Sequence, residues 1–215
     1  MVFLEFRDDC LKKVSPGDTN TNLRIVRSCL NAAQQPGLLG SNPASQVRFL
    51  KERGMSKRRE MTIGEIQRVL KTCGDTLWRG LVLTGLYTGQ RLGDCTRLTW
   101  QQVDLMNKTI SFVTRKTGKR LAMRMAEPLI HHLSGLPGTD DPQGFVFPRF
   151  AAMGENVTAA LSKAFAEEII IPAGLMLPRP KNHASAGTGR KNKRQVNEVT
   201  FHSLRHSWVT TARRA

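Results

Sequence analysis

Long apolar runs are missing from this 215-residue chain. No stretch approaches the ~20 residues that cross a bilayer as a helix. The opening MVFLEFRDDC sets Glu5, Asp8 and Asp9 where a secretion signal would be basic and then apolar. No membrane partner is expected. Cysteine is sparse, and Cys10, Cys29, Cys73 and Cys95 show neither CxxC spacing nor a histidine at ligand distance. That excludes a zinc module and a disulfide framework, and leaves free, mostly buried thiols in a reducing cytoplasm. No metal and no cofactor is expected. Tyrosine occurs once, as Tyr87, and there are no internal repeats.

Acid is also scarce. There are 17 Asp and Glu against 33 Lys and Arg, a formal charge of +16. With no membrane features to absorb that excess, the expected partner is a nucleic acid, and the expected location is a nucleoid-associated one in the cytoplasm. Hydrophobic residues make up 40%, enough for a packed core and for one good domain, or one and a fraction.

Residues 1–53 read as helices separated by turns. TNTNLRIVRSCLNAAQQ (19–35) offers Thr and Asn caps and then Leu23, Val26, Leu30 and Ala33 at helical spacing, and PGLLGSNPA (36–44) ends it. About 50 residues are a thin basis for an independent domain, so this segment reads as the tail of something larger. KERGMSKRRE comes next as a basic linker over 54–60, a solvated hinge or a strap along phosphates carrying Lys57, Arg58 and Arg59. The remainder, 61–215, reads as one domain. It opens with a capping box, Thr62-Ile-Gly-Glu65, and continues with a helix from about Asp75 to Thr88 that Gly89 stops.

After Trp100 the texture changes. ISFVT (110–114) and RLAMRMA (120–126) flank RKTGK, a hairpin with Thr-Gly as its turn and Lys116 and Lys119 at the tip. FVFPRF (145–150) reads as a short edge segment ended by Pro148. NVTAALSKAFAEEIII (156–171) is a helix with Val157, Leu161, Ala164, Phe165 and Ile169 on one face. PRPKNHASAGTGRKNKRQ (178–195), with Arg190, Lys191, Lys193 and Arg194, is a basic loop that would track a nucleic-acid backbone. A last helix starts at Thr200 or Ser203 and carries His202, Arg205 and His206. The expected class is mainly α with a small antiparallel β-sheet (α+β).

Singly, each cation is unremarkable: an Arg beyond a helix, a Lys in a turn, an HxxR pair on one helical face. Their order and spacing say more. TGLYTGQRLGDCTRLTWQQVDL (84–105), RKTGKRLAMRMAEPL (115–129) and FHSLRHSW (201–208) together resemble the tyrosine recombinase (phage integrase) family. The resemblance covers 60–215. It implies that family's catalytic-domain fold, and it makes residues 1–53 the closing helices of a core-binding domain.

The family exchanges one DNA phosphodiester for another through a phosphotyrosine link. By resemblance, Arg91 and Arg205 are two guanidinium forks on the phosphoryl oxygens, whose spread negative charge suits planar, permanently charged groups. Asp94 would orient the site from behind. Lys116 would protonate the departing 5′ oxygen, and a positioned general acid is worth about 10²–10⁴ in rate. His202 would take the nucleophile's proton or hydrogen-bond the phosphoryl group, while His206 packs or caps.

The resemblance also implies a second His or Trp and then a tyrosine nucleophile a few dozen residues after HxxR, a distance that the ten residues from Arg205 to Ala215 do not reach. Tyr87, inside an apolar helix, reads as core. The expectation is therefore a chain that binds double-stranded DNA without completing cleavage, monomeric here and tetrameric on DNA at full length. Two rivals stand beside it: a basic DNA-binding module without chemistry, and a phosphodiesterase that uses water, with His202 as base.

Overall fold

The computed structural model describes residues 2–35, 37–51, 58–113, 118–153, 157–178 and 197–214. The chain divides into two compact units, Met1–Met55 and Ser56–Ala215.

The first unit pairs helix α1 (Val2–Lys13) with α2 (Pro16–Gln34). The start of α2 lies upstream of the expected Thr and Asn caps. Ser15 caps it, accepting from the Asp18 amide, and Pro16 occupies the first turn, where its missing N–H costs nothing. Thr19, Asn20 and Leu23 are buried, whereas Val26, Leu30 and Ala33 are only partly so. Residues 37–51 are held along α2 by side chains rather than by a third helix. Asn20 bonds both the N–H and the C=O of Leu50, at 2.8 and 3.0 Å. Arg27 donates to the carbonyls of Ala44 and Ser45, and its guanidinium lies over the Phe49 ring.

The second unit opens with α3 (Ile63–Thr72), where the expected capping box is complete: Thr62 Oγ1 accepts from the Glu65 amide and Glu65 accepts from the Thr62 amide. Asp75 caps the central helix α4 (Thr76–Thr88) through the Leu77 amide. Almost every face of α4 is buried: Trp78, Leu81, Val82 and Leu83 all lie within the core. Such a helix must be wrapped on several sides. A short helix α5 (Leu92–Cys95) follows at once.

Three antiparallel strands come next, β1 (Val103–Asp104), β2 (Thr109–Val113) and β3 (Arg120–Arg124), in that spatial order. Ile110 and Phe112 turn into the core. The last paired positions are Val113 and Arg120; residues 114–117, with Thr117 of the expected Thr-Gly turn, lie outside the described residues. Helices α6 (Glu127–Ser134), α7 (Pro148–Ala151), α8 (Val157–Phe165) and α9 (Phe201–Arg214) complete the unit.

Two details correct the sequence reading. Pro148 does not end a strand but begins α7, since proline suits a first helical turn as well as it ends an extended run; Phe145 makes only an isolated bridge to Thr99. The helix from Val157 widens at Ala166–Ile170 into a π turn, which brings Ile169 and Ile170 into the core side by side. From that turn Glu168 accepts the Trp78 indole N–H at 2.7 Å. Of the four thiols, Cys73 and Cys95 are buried, and burial pushes the Cys73 thiol up to about 11; Cys10 is half-buried and Cys29 exposed.

The approach of α9 to α4 is close. A Cβ on Gly85 would lie 2.6 Å from Phe201 Cζ, so only glycine lets the two helices meet there. The entry segment is fastened too. Met61 donates its amide to Ser207 Oγ on α9 at 3.0 Å, and Arg59 bonds the Glu198 carbonyl through its backbone. The Arg59 side chain makes a two-pronged pair with Glu65, at 2.6 and 2.7 Å.

The Arg59 guanidinium holds the Glu65 carboxyl well below its ordinary value, at about 2. Glu65→Gln should lower the stability of this unit at neutral pH by about 1–2 kcal/mol, a figure reduced because Arg59 is partly solvated. A depressed carboxyl stabilises fully above its unfolded value and loses that contribution as pH falls from there through about 2. Denaturant unfolding of both proteins should therefore show the gap closing on acidification; a gap independent of pH would contradict this assignment.

Candidate active site

Gly89 is the pivot of the site. It ends α4 in the left-handed region, with φ 62° and ψ 19°, and its N–H bonds the Gly85 carbonyl at 3.1 Å. This sharp stop sends the chain directly into Arg91, the extended residue that precedes α5. The Arg91 side chain is 41% exposed and lies 3.9 Å from Asp94 Oδ2. The Asp94 side chain is 5% exposed. An acid so placed steadies the arginine from the protein side and leaves its outer face to solvent. Gln90, between them, is buried and bonds the Thr88 carbonyl.

The other half comes from α9. Thr200 and Ser203 bond reciprocally at its start: the Thr200 amide donates to Ser203 Oγ, and the Ser203 amide to the Thr200 carbonyl. Ser203, Leu204 and Ser207 face inward, which turns His202 and His206 outward. Arg205 reaches back to Gly89 and donates from Nη1 to its carbonyl at 2.6 Å. The two arginines, 114 positions apart in the chain, thus border the same glycine.

His202 stands beside them. Its ring meets His206 edge-on, centroids 4.8 Å apart. Its pKa lies below the ordinary histidine value, through partial desolvation first and then repulsion from His206, Arg205, Arg58 and Arg91. A neutral imidazole amid guanidiniums can accept a proton or offer a hydrogen bond.

The structure thus brings together Arg91, Asp94, His202 and Arg205, with Arg58 near enough to act on His202. Arg59 is engaged inside the fold with Glu65. Lys119 is exposed just before β3. Lys57, Lys116, Arg190, Lys191, Lys193 and Arg194 lie outside the described residues. Among the described residues, no three His, Cys, Asp or Glu side chains are grouped as metal ligands would be, and no helix is long and apolar enough to cross a membrane.

Sequence reasoning passed over two residues here. Ser207 was detectable as an inward i+4 partner of Ser203. Trp208, whose indole sits on Gly89, depends on a tertiary approach that no local pattern announces.

Arg91 and the His202–Arg205 pair thus meet at one turn of an α+β unit. Residues 59–214 match the phage integrase family model, and the chain belongs to that family, the tyrosine recombinases. Solved structures agree on the fold. The lambda integrase fragment bound to DNA superposes with a TM-score of 0.60 at 15% identity, covering 94% of this chain and 67% of that one. The Tn1549 transposon integrase, in complex with a circular intermediate DNA, gives 0.63 at 16% identity, covering 99% and 72%. The XerA recombinase gives 0.52 at 19% identity, covering 88% and 60%. No curated protein sequence matches the chain.

His206→Ala should raise the His202 pKa toward the ordinary value, since it removes a neighbouring charge and exposes the ring. Following the imidazole proton resonances of both proteins through a pH titration measures this. An unmoved midpoint would mean that the two rings do not sense each other.

Proposed function

We propose that this chain binds double-stranded DNA and presents the phosphate-binding part of a strand-transfer site. The observation that carries this reading is the shared pivot: Arg205 bonds the Gly89 carbonyl, and Arg91 follows Gly89 by two residues. Two guanidiniums fixed to one turn form a fork for a single phosphodiester, and their permanent charge would stabilise the negative charge that builds on its non-bridging oxygens.

In the whole protein, a tyrosine oxygen would attack the phosphorus and displace the 5′ oxygen. His202 takes or relays the nucleophile's proton, and Lys116, from the connection between β2 and β3, gives a proton to the departing oxygen. Asp94 keeps Arg91 aimed. Arg58, Lys119 and the basic stretches around Lys57 and 190–194 hold neighbouring phosphates and supply affinity without reading sequence. The first unit acts as the closing helices of a core-binding domain. Lambda integrase has been solved as a tetramer bound to a Holliday junction; a like assembly belongs to the whole protein here, and this chain by itself is a monomer.

The one tyrosine, Tyr87, lies in α4 and packs against the core. The 215-residue chain is therefore expected to hold DNA without a covalent bond.

Fluorescence anisotropy with a duplex should show binding that weakens steeply with salt, and Arg91→Ala should reduce the magnitude of the log–log salt slope by about one. A nicked suicide duplex, run on a denaturing gel, should show neither a protein–DNA adduct nor new nicks. An adduct would assign the nucleophile to this chain, and nicking without an adduct would favour the water-using phosphodiesterase.

A further inference from the structure

Trp208 is half-buried on α9, three residues beyond Arg205 and so on the same side of the helix. Its indole lies on Gly89. A Cβ at that glycine would fall 2.6 Å from Trp208 Cε3, 2.7 Å from Cδ2 and 3.1 Å from Cγ. The ring therefore occupies the space in which any other residue would carry its side chain. One helix grips one glycine twice, by the Arg205 bond to its carbonyl and by the Trp208 ring against its Cα.

We propose that Trp208 is a positioning residue, whose indole fixes the Gly89 turn so that Arg91 and Arg205 meet one phosphodiester at a set separation. The proposal rests on the phosphate-fork function of the two arginines. Glycine at positive φ is the residue most free to leave its conformation, and the chain passes from α4 to α5 within the two residues beyond Gly89. The Arg91 carbonyl accepts the Asp94 and Cys95 amides at 2.9 Å each, which ties its backbone to α5, while its side chain approaches Asp94 at 3.9 Å and no side-chain capping bond marks the start of α5. The Gly89 amide bond to Gly85 and the Gln90 bonds to Thr88 tie the turn to α4, whereas the indole bears on the glycine from α9. A rigid bicyclic ring, with two rotatable bonds, constrains the glycine at small entropic cost. Arg205 gains equally, because a displaced Gly89 carbonyl would take the acceptor of its Nη1 with it.

The test uses the 215-residue chain and a duplex of random sequence, with anisotropy over a salt series and thermal unfolding of each variant. Trp208→Ala, measured well below its unfolding midpoint, should reduce the magnitude of the salt slope by about one, as Arg91→Ala does. The double variant Trp208→Ala with Arg91→Ala should fall little further than Arg91→Ala alone, because a misaimed arginine has already been lost. Trp208→Phe, which keeps a flat ring on the glycine, should restore the wild-type slope. Where Trp208→Ala does not fold, Trp208→Leu supplies the comparison, keeping apolar bulk without a planar face.

A lowered unfolding midpoint with an unchanged slope would make Trp208 a packing residue only and overturn the proposal. Full additivity with Arg91→Ala would do the same. If Arg91→Ala and Arg205→Ala themselves leave the slope at the wild-type value, the phosphate-fork function fails. A reduced slope in those two with none in Trp208→Ala rejects the positioning role alone.

Discussion

The bond from the Arg205 guanidinium to the Gly89 carbonyl organises the catalytic unit. It needs α4 to stop sharply, α9 to lie close enough for one side chain to reach, and nothing larger than hydrogen between them at Gly85 and Gly89. Each condition is met by a distinct local device. The left-handed glycine supplies the stop, and the missing Cβ atoms supply the approach. The inward serines and Leu204 set the rotation of α9 about its axis. The site inherits its geometry from this junction, so that a polar contact rather than apolar burial determines where the charges sit.

Electrostatics work against such an arrangement. Arg58, Arg91 and Arg205 carry like charges, and their repulsion adds to partial desolvation in lowering the His202 pKa. The nearby buried acid, Asp94, offsets part of that repulsion at Arg91. The rest is left for a ligand of opposite sign, which a cluster of cations favours more strongly than scattered surface charges would.

Much of this was legible from the residues alone. The α3 capping box, the α4 stop at Gly89, the strand pair around 114–119 and the opening of α9 all follow local rules, and the structure places each where local chemistry puts it. What escaped depends on chemistry that can be read two ways, or on partners distant in the chain. Pro148 suits a helix start as well as a strand end. Arg59 looked like one more basic residue of a linker, but Glu65, already engaged in its cap, also accepts it. The π turn arises from the volume that the core had left to fill, which no periodicity encodes. Trp208 was passed over because its contact is a glycine more than a hundred residues away.

The tie between Met61 and Ser207 has a wider consequence. Together with the Arg59–Glu198 bond it fastens residues 59–61 to α9 and to the segment just before that helix, like a clasp. Two bonds between segments about 140 residues apart make the lead-in to α3 and the helix that carries Arg205 move together. The clasp and the site share α9, so a pull on the lead-in to α3 is felt at the arginine that borders Gly89.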